Sequence, residues 1–152
     1  MRYLLDTGVL LRLVNREAAE HHEVRAAVRV LKAQGHVTVM SFQNLCEFWN
    51  VCTRPETARG GLGLTVDETR RRLRALERVA AMLPDSPDTF SIWKRLVLTH
   101  GVKGTQVHDA KLVALMNVHA VSVLLTLNAA DFRRYPGITP VSPQDVLAAA
   151  SE

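Results

Sequence analysis

Three acidic residues stand where packing alone would not put them. Asp6 interrupts the apolar stretch "YLLDTGVLLRL", Glu47 lies inside "NLCEFWN", and Asp109 lies inside "VHDAKLVALM". A carboxylate held against a packed apolar surface needs hydrogen bonds or a compensating cation, because burying an unpaired charge is costly. Few lysines or arginines accompany these three, so a divalent metal is the simplest compensation. Hard carboxylate oxygens suit Mg²⁺ or Mn²⁺, and Mg²⁺ is held by a few carboxylates while it keeps waters and takes up phosphate oxygens. Each acid also has a structural reading: Asp6 as a helix N-cap, Glu47 as a solvated helix residue, Asp109 as a first-turn acid facing the helix dipole. Only their joint placement carries weight.

That placement depends on the elements around them. Short apolar runs read as strands at 2–6, 36–40, 81–85, 121–126 and 138–142. Apolar spacings of three and four read as helices at 23–33, 42–52, 65–82, 91–100 and 107–119, with a last helix from 143. Strands separated by helices imply parallel pairing through right-handed crossovers, hence a three-layer α/β/α sandwich around a mostly parallel five-stranded sheet. A continuous apolar strand such as "VSVLLT" agrees, since a central parallel strand is covered on both faces. Asp6 then ends the first strand, Glu47 follows the second, and Asp109 precedes the fourth. Asn128 and Asp131 follow the fourth strand in "TLNAADF". Ligands in open α/β sheets collect at the carboxyl edge of the strands.

Local signals mark the boundaries. Gly35 is a C-cap candidate for a helix over 19–34, and "TVDE" from Thr65 to Glu68 is a capping box. Ser86-Pro87 and Ser142-Pro143 each read as a helix start with proline at the first position. The stretch 53–64, with three glycines and a proline, reads as a loop. At 152 residues, 47% hydrophobic and 22% charged, the chain fits one globular domain over 1–152. No segment is long and apolar enough to span a bilayer and no leader is evident, so no membrane partner and a cytoplasmic location are expected. Cys46 and Cys52 match no zinc or redox spacing and are expected to be buried and unbridged. A net charge of +4 makes a polyanionic partner plausible.

The blocks "YLLDTGVLLRL", "SFQNLCEFWNVCTRP", "VHDAKLVALMNVHAVSVLLTLNAADFRRYPGI" and "VSPQDVL" occur in this order over nearly the whole chain. Together they resemble PIN-domain proteins, in particular the toxin ribonucleases of VapBC toxin–antitoxin modules. The resemblance implies a PIN fold and metal-dependent RNA cleavage that leaves a 5′-phosphate and a 3′-hydroxyl. It places Asp6, Glu47 and Asp109 at the metal-binding acids, with Mg²⁺ expected and Mn²⁺ as the substitute. The family's fourth acidic position, two residues after the threonine of its fourth-strand turn, is here Asn128, a neutral ligand that weakens the case for a second metal. A structural role for Asp131 is expected ahead of a compensating one. The resemblance also implies an antitoxin that inserts a segment across the cleft, and a homodimer.

Around these acids, Thr7 is either a cap or a donor to a metal-bound water, and Asn44 shares a helix face with Glu47 and is expected to hold a water or Glu47 itself. Arg54, Arg59, Lys103, Arg133 and Arg134 are the candidates for RNA phosphates. The arginines of "RRRLRALER" (70–78) read first as a solvated face, and no histidine is needed as base. Two other readings compete. A phosphotransferase or receiver domain would need paired acids at the first strand and a late-strand lysine, which "LLDTGVLL" and "LLTLN" lack. A binding module of the same fold without cleavage would have no need to keep all three acids.

Overall fold

The computed structural model describes residues 1–152. Its sheet is parallel throughout. Strands β1 (Arg2–Leu5), β2 (Val37–Ser41), β3 (Ala81–Leu83), β4 (Val123–Leu125) and β5 (Thr139–Val141) lie in the order β3-β2-β1-β4-β5. The chain steps outward from β1 to β2 to β3, then returns to pair β4 on the other side of β1, in the register Tyr3↔Val123 to Leu5↔Leu125. The strand order therefore reverses between β1 and β4, and the crevice at their carboxyl ends is where open α/β sheets bind ligands.

Alternation along the strands divides the core between the two faces. Leu5, Met40 and Leu125 turn to one face, where they pack with Val9, Val24, Phe48 and Leu76. These come from α1 (Thr7–Val14), α2 (His21–Ala33), α3 (Phe42–Thr53) and α4 (Val66–Val79), and α8 (Pro143–Ala149) joins them through Val146. Leu4, Val39 and Leu124 turn to the other face and meet Ala110, Val113 and Met116 of α6 (Gln106–Val118), with α5 (Thr89–His100) outside it. The short α7 (Ala129–Phe132) follows β4.

The local signals acted largely as expected. Gly35, at φ +80°, ends α2: its N–H reaches Lys32 O and the next N–H, of His36, reaches Leu31 O, so the last carbonyls are satisfied as in a Schellman motif. Thr65 with Glu68 and Ser142 with Asp145 form reciprocal capping boxes, and Pro143 opens α8. Three expectations change. Ser86-Pro87 does not start α5; Ser86 Oγ accepts from Asp88 N–H in a turn, and the helix begins at Thr89. Strands 3 to 5 are each three residues long, shorter than the five- and six-residue runs expected. Cys52 is buried and its thiol is pushed up to about 11 by burial, but Cys46 is exposed, since it lies on the side of α3 turned from the core. No helix is long and apolar enough to cross a membrane.

Candidate active site

Asp6 sits where β1 becomes α1, and the alternatives of cap and site acid turn out to be compatible. Its backbone N–H extends the ladder to Leu125 O at 3.0 Å, which fixes the residue at the sheet edge. Oδ1 then accepts from Thr7 N–H at 2.8 Å as the N-cap of α1, while Oδ2 accepts from Thr126 Oγ1 at 2.7 Å. Thr126 is fully buried, and its Oγ1 also accepts from the N–H of Asn128 at 3.0 Å. One hydroxyl thus orients both the acid and the turn after β4.

Glu47 is held from two sides. Thr7 Oγ1 donates to Oε2 at 2.6 Å, and Gln43 Nε2 donates to Oε1 at 3.1 Å. Behind Thr7 lies Asn44, whose Nδ2 donates to Thr7 Oγ1 at 3.1 Å. Its Oδ1 accepts from Ser41 Oγ at 2.7 Å, within the capping box that starts α3. Ser41 and Asn44 are both fully buried. The expected contact of Asn44 with Glu47 is therefore indirect, running through Thr7. Gln43 Nε2 also donates to His108 O at 2.8 Å, which ties the α3 carboxylate to the turn of α6 that carries Asp109.

Asp109 is pushed up to about 6, first by burial and then by the charges of Asp6, Asp131 and Glu47, with His108 pulling the other way. Burial also raises Asp6, against its bonds from Thr126 and Thr7, and Glu47 and Asp131 raise it further. Four carboxylates therefore share one electrostatic field. None of them takes part in an ion pair; the three in the protein are Arg12–Glu20, Arg70–Asp67 and Arg71–Asp67. Such a cluster suits a hard divalent cation in charge and donor type. No three of these side chains are placed to hold one metal ion together.

The other candidates lie farther out. Asn128 is exposed at the N-cap of α7 and its side chain makes no capping bond. Arg134 donates to Gln106 Oε1 at 3.3 Å, at the start of α6, and Asp145 is held low by its hydrogen bonds from Ser142, with a smaller pull from the Arg133 charge. The Arg54 guanidinium lies beside Gly60 in its own loop, and its Nε is buried without a partner. A cavity of about 630 Å³, lined by residues such as Asn15, Glu56 and Arg72, includes none of the four site carboxylates. Coupled charge and fixed hydrogen bonds, not volume, mark this site. Sequence reading missed Gln43, although its i, i+4 spacing to Glu47 was a usable signal, and it undervalued Asp131.

Comparison with known proteins agrees with this geometry. The PIN domain profile matches residues 3–138, whereas no functionally curated protein matches. Among solved structures, VapBC2 from Rickettsia felis, bound to a DNA fragment from its promoter, is 15% identical, covers 93% of this chain and 98% of its own, and has a TM-score of 0.68. VapBC-1 from nontypeable Haemophilus influenzae is 17% identical over 95% and 99%, with a TM-score of 0.67. VapC20 from Mycobacterium tuberculosis, described as a toxin that cleaves the sarcin–ricin loop, is 19% identical over 80% and 86%, with a TM-score of 0.56. At these identities the likeness speaks to the fold. With the profile spanning nearly every element and the sheet repeating the fold of these structures, the chain belongs to the PIN-domain family.

Proposed function

We propose that the protein is a metal-dependent endoribonuclease, the toxin component of a toxin–antitoxin pair acting in the cytoplasm. The observation that carries this reading is the gathering of Asp6, Glu47 and Asp109 at the reversal of strand order, in one another's field and without an ion-pair partner. Asp6 and Asp109 would hold Mg²⁺ or Mn²⁺, with Glu47 beside them. Bound there, the cation would activate a water and offset charge on the scissile phosphate. Thr126 keeps Asp6 turned to the crevice, and Thr7, Asn44 and Gln43 keep Glu47 from swinging away. Asp131 supplies the fourth negative charge and Asn128 at most a neutral oxygen. Arg133 and Arg134, beside the turn after β4, take flanking phosphates, and Arg54 does so only if its loop opens.

The partner reading rests on relatives whose structures are toxin–antitoxin complexes, and a homodimer belongs to the same reading. The test is RNA cleavage by the full chain with Mg²⁺ or Mn²⁺, against EDTA and against Asp6→Ala, with the product ends mapped. Metal-dependent cuts that leave 5′-phosphates and vanish in Asp6→Ala are expected. Because the carboxylates do not close into a cage, a PIN-fold module that binds RNA or protein without cutting is the second reading. RNA binding with no cleavage in any divalent metal would decide for it.

A further inference from the structure

Beyond the carboxyl end of β3 lies a concavity that the proposed reaction leaves unused. It has a volume of about 460 Å³, in the range of small-molecule sites, and is lined by Asp85, Ser86, Thr89, Phe90, Trp93 and Lys111 among others. Phe90 and Trp93 lie near-parallel, at 27° with ring centroids 6.2 Å apart. Phe90 is 67% exposed, so its ring is open to a ligand. Trp93 is fixed, because its Nε1 donates to Val107 O at 2.9 Å. Thr89 Oγ1 is buried without a hydrogen-bond partner, and Lys111 is exposed and forms no ion pair.

A presented ring backed by a tethered indole is the chemistry that seats an unstacked nucleobase. The ammonium nearby suits its phosphate, while a hydroxyl and a carboxylate suit the base edge. A subunit interface is a poorer match, since interface cores are depleted of lysine, aspartate and serine. The position also fits. β3 lies two strands from β1, so their carboxyl ends are roughly 10 Å apart along the same sheet edge. The first turns of α6 join the two places: Val107 O anchors Trp93, Asp109 belongs to the acid cluster, and Lys111 borders the cavity.

We propose that this cavity is a nucleobase subsite, which seats one base of a single-stranded RNA while a neighbouring phosphodiester lies at Asp6 and Asp109. The proposal rests on the ribonuclease reading above and adds to it a residue set that chooses the cut. It is tested by fluorescence anisotropy of short homopolymeric ribo-oligonucleotides of A, C and U, in an Asp6→Asn background with Mg²⁺ present. Phe90→Ala is expected to weaken the best-bound homopolymer roughly 5- to 150-fold, the effect of one lost stacking contact. Phe90→Trp should retain binding, and Lys111→Ala should weaken every homopolymer alike and lower the salt dependence. The Trp93 indole N–H resonance should shift on titration. If wild-type protein cuts RNA and the background binds it, equal affinity in Phe90→Ala overturns the subsite alone. A dimer that becomes monomeric in Phe90→Ala with RNA affinity unchanged also overturns it and makes this face a subunit interface. If the background binds no oligonucleotide and wild-type protein cuts none, the ribonuclease reading falls and the subsite with it.

Discussion

Thr7 Oγ1 donates a 2.6 Å hydrogen bond to Glu47 Oε2 and at the same time accepts one from Asn44 Nδ2. One hydroxyl at the start of α1 therefore joins the acid of α3 to the buried cap of the same helix. Thr7→Val keeps the shape and removes both bonds. It leaves the Asn44 amide buried without its acceptor, so stability measured by urea unfolding should fall by about 1–3 kcal/mol. RNA cleavage should fall about 100-fold if Glu47 drifts by an ångström. Thr7→Ser should keep both properties.

Asp6 works against the fold whenever it is charged, since burial and the neighbouring acids both raise it. Asp6→Asn keeps one oxygen to accept from Thr7 N–H, its amide N–H can donate to Thr126 Oγ1 where the carboxylate accepted, and it removes the repulsion. Its melting temperature in chelator at pH 7.5 is expected to rise by roughly 2–4 °C, the size of about 1 kcal/mol in a chain of this length. Cleavage should drop by roughly 100-fold or more. A variant less stable than wild type would show that the bonds of Asp6 need its charge.

The raised acids fix the sign of a pH effect. Asp109, pushed up to about 6 in the folded protein from the ordinary aspartate value of 3.8, holds a proton between those limits that the unfolded chain has already released. Stability contributed by that proton is present at the acid end of the window and is lost as pH rises through about 6. Asp67, Glu68 and Asp145, held low by their arginine and capping partners, act oppositely and lose their contribution only at more acid pH. Metal-free protein should therefore melt highest near pH 5, and added Mg²⁺ should raise the melting temperature more at pH 7.5 than at pH 5. A metal effect independent of pH would argue that the cation binds away from Asp109.

Gly61 offers a test of the loop after α3. A Cβ there would stand 2.1 Å from Pro55 O and 2.6 Å from Arg54 O, both backbone atoms that cannot move aside cheaply. Gly61→Ala should cost about 1–3 kcal/mol or more in chemical unfolding. Gly35→Ala meets no neighbour and is opposed only by its positive φ, so a smaller cost is expected.

The sheet and its acids were legible because their signals are local. Apolar runs bounded by caps mark the strands, and a carboxylate among leucines is visible at once. What could not be read were relationships across elements. Gln43 draws its value from the His108 carbonyl, 65 residues away, which comes within reach only when α6 packs beside α3. A structural role is expected for Asp131 ahead of a compensating one, yet its charge acts on Asp6 and Asp109 once β4 lies beside β1. Ser86-Pro87 carried a helix-start signature, but the serine hydroxyl closes a turn with Asp88 instead.

The pairing of β1 with β4 has a consequence for the order in which the molecule is made. The bond from Thr126 to Asp6 spans 120 residues, so the first strand to leave the ribosome waits for one of the last before its acid is oriented. Contacts of such sequence separation form late, after the local helices. A chain interrupted before residue 126 therefore carries Asp6, Glu47 and Asp109 but has no assembled centre. Orientation of Asp6 therefore arrives only when the chain has passed Thr126.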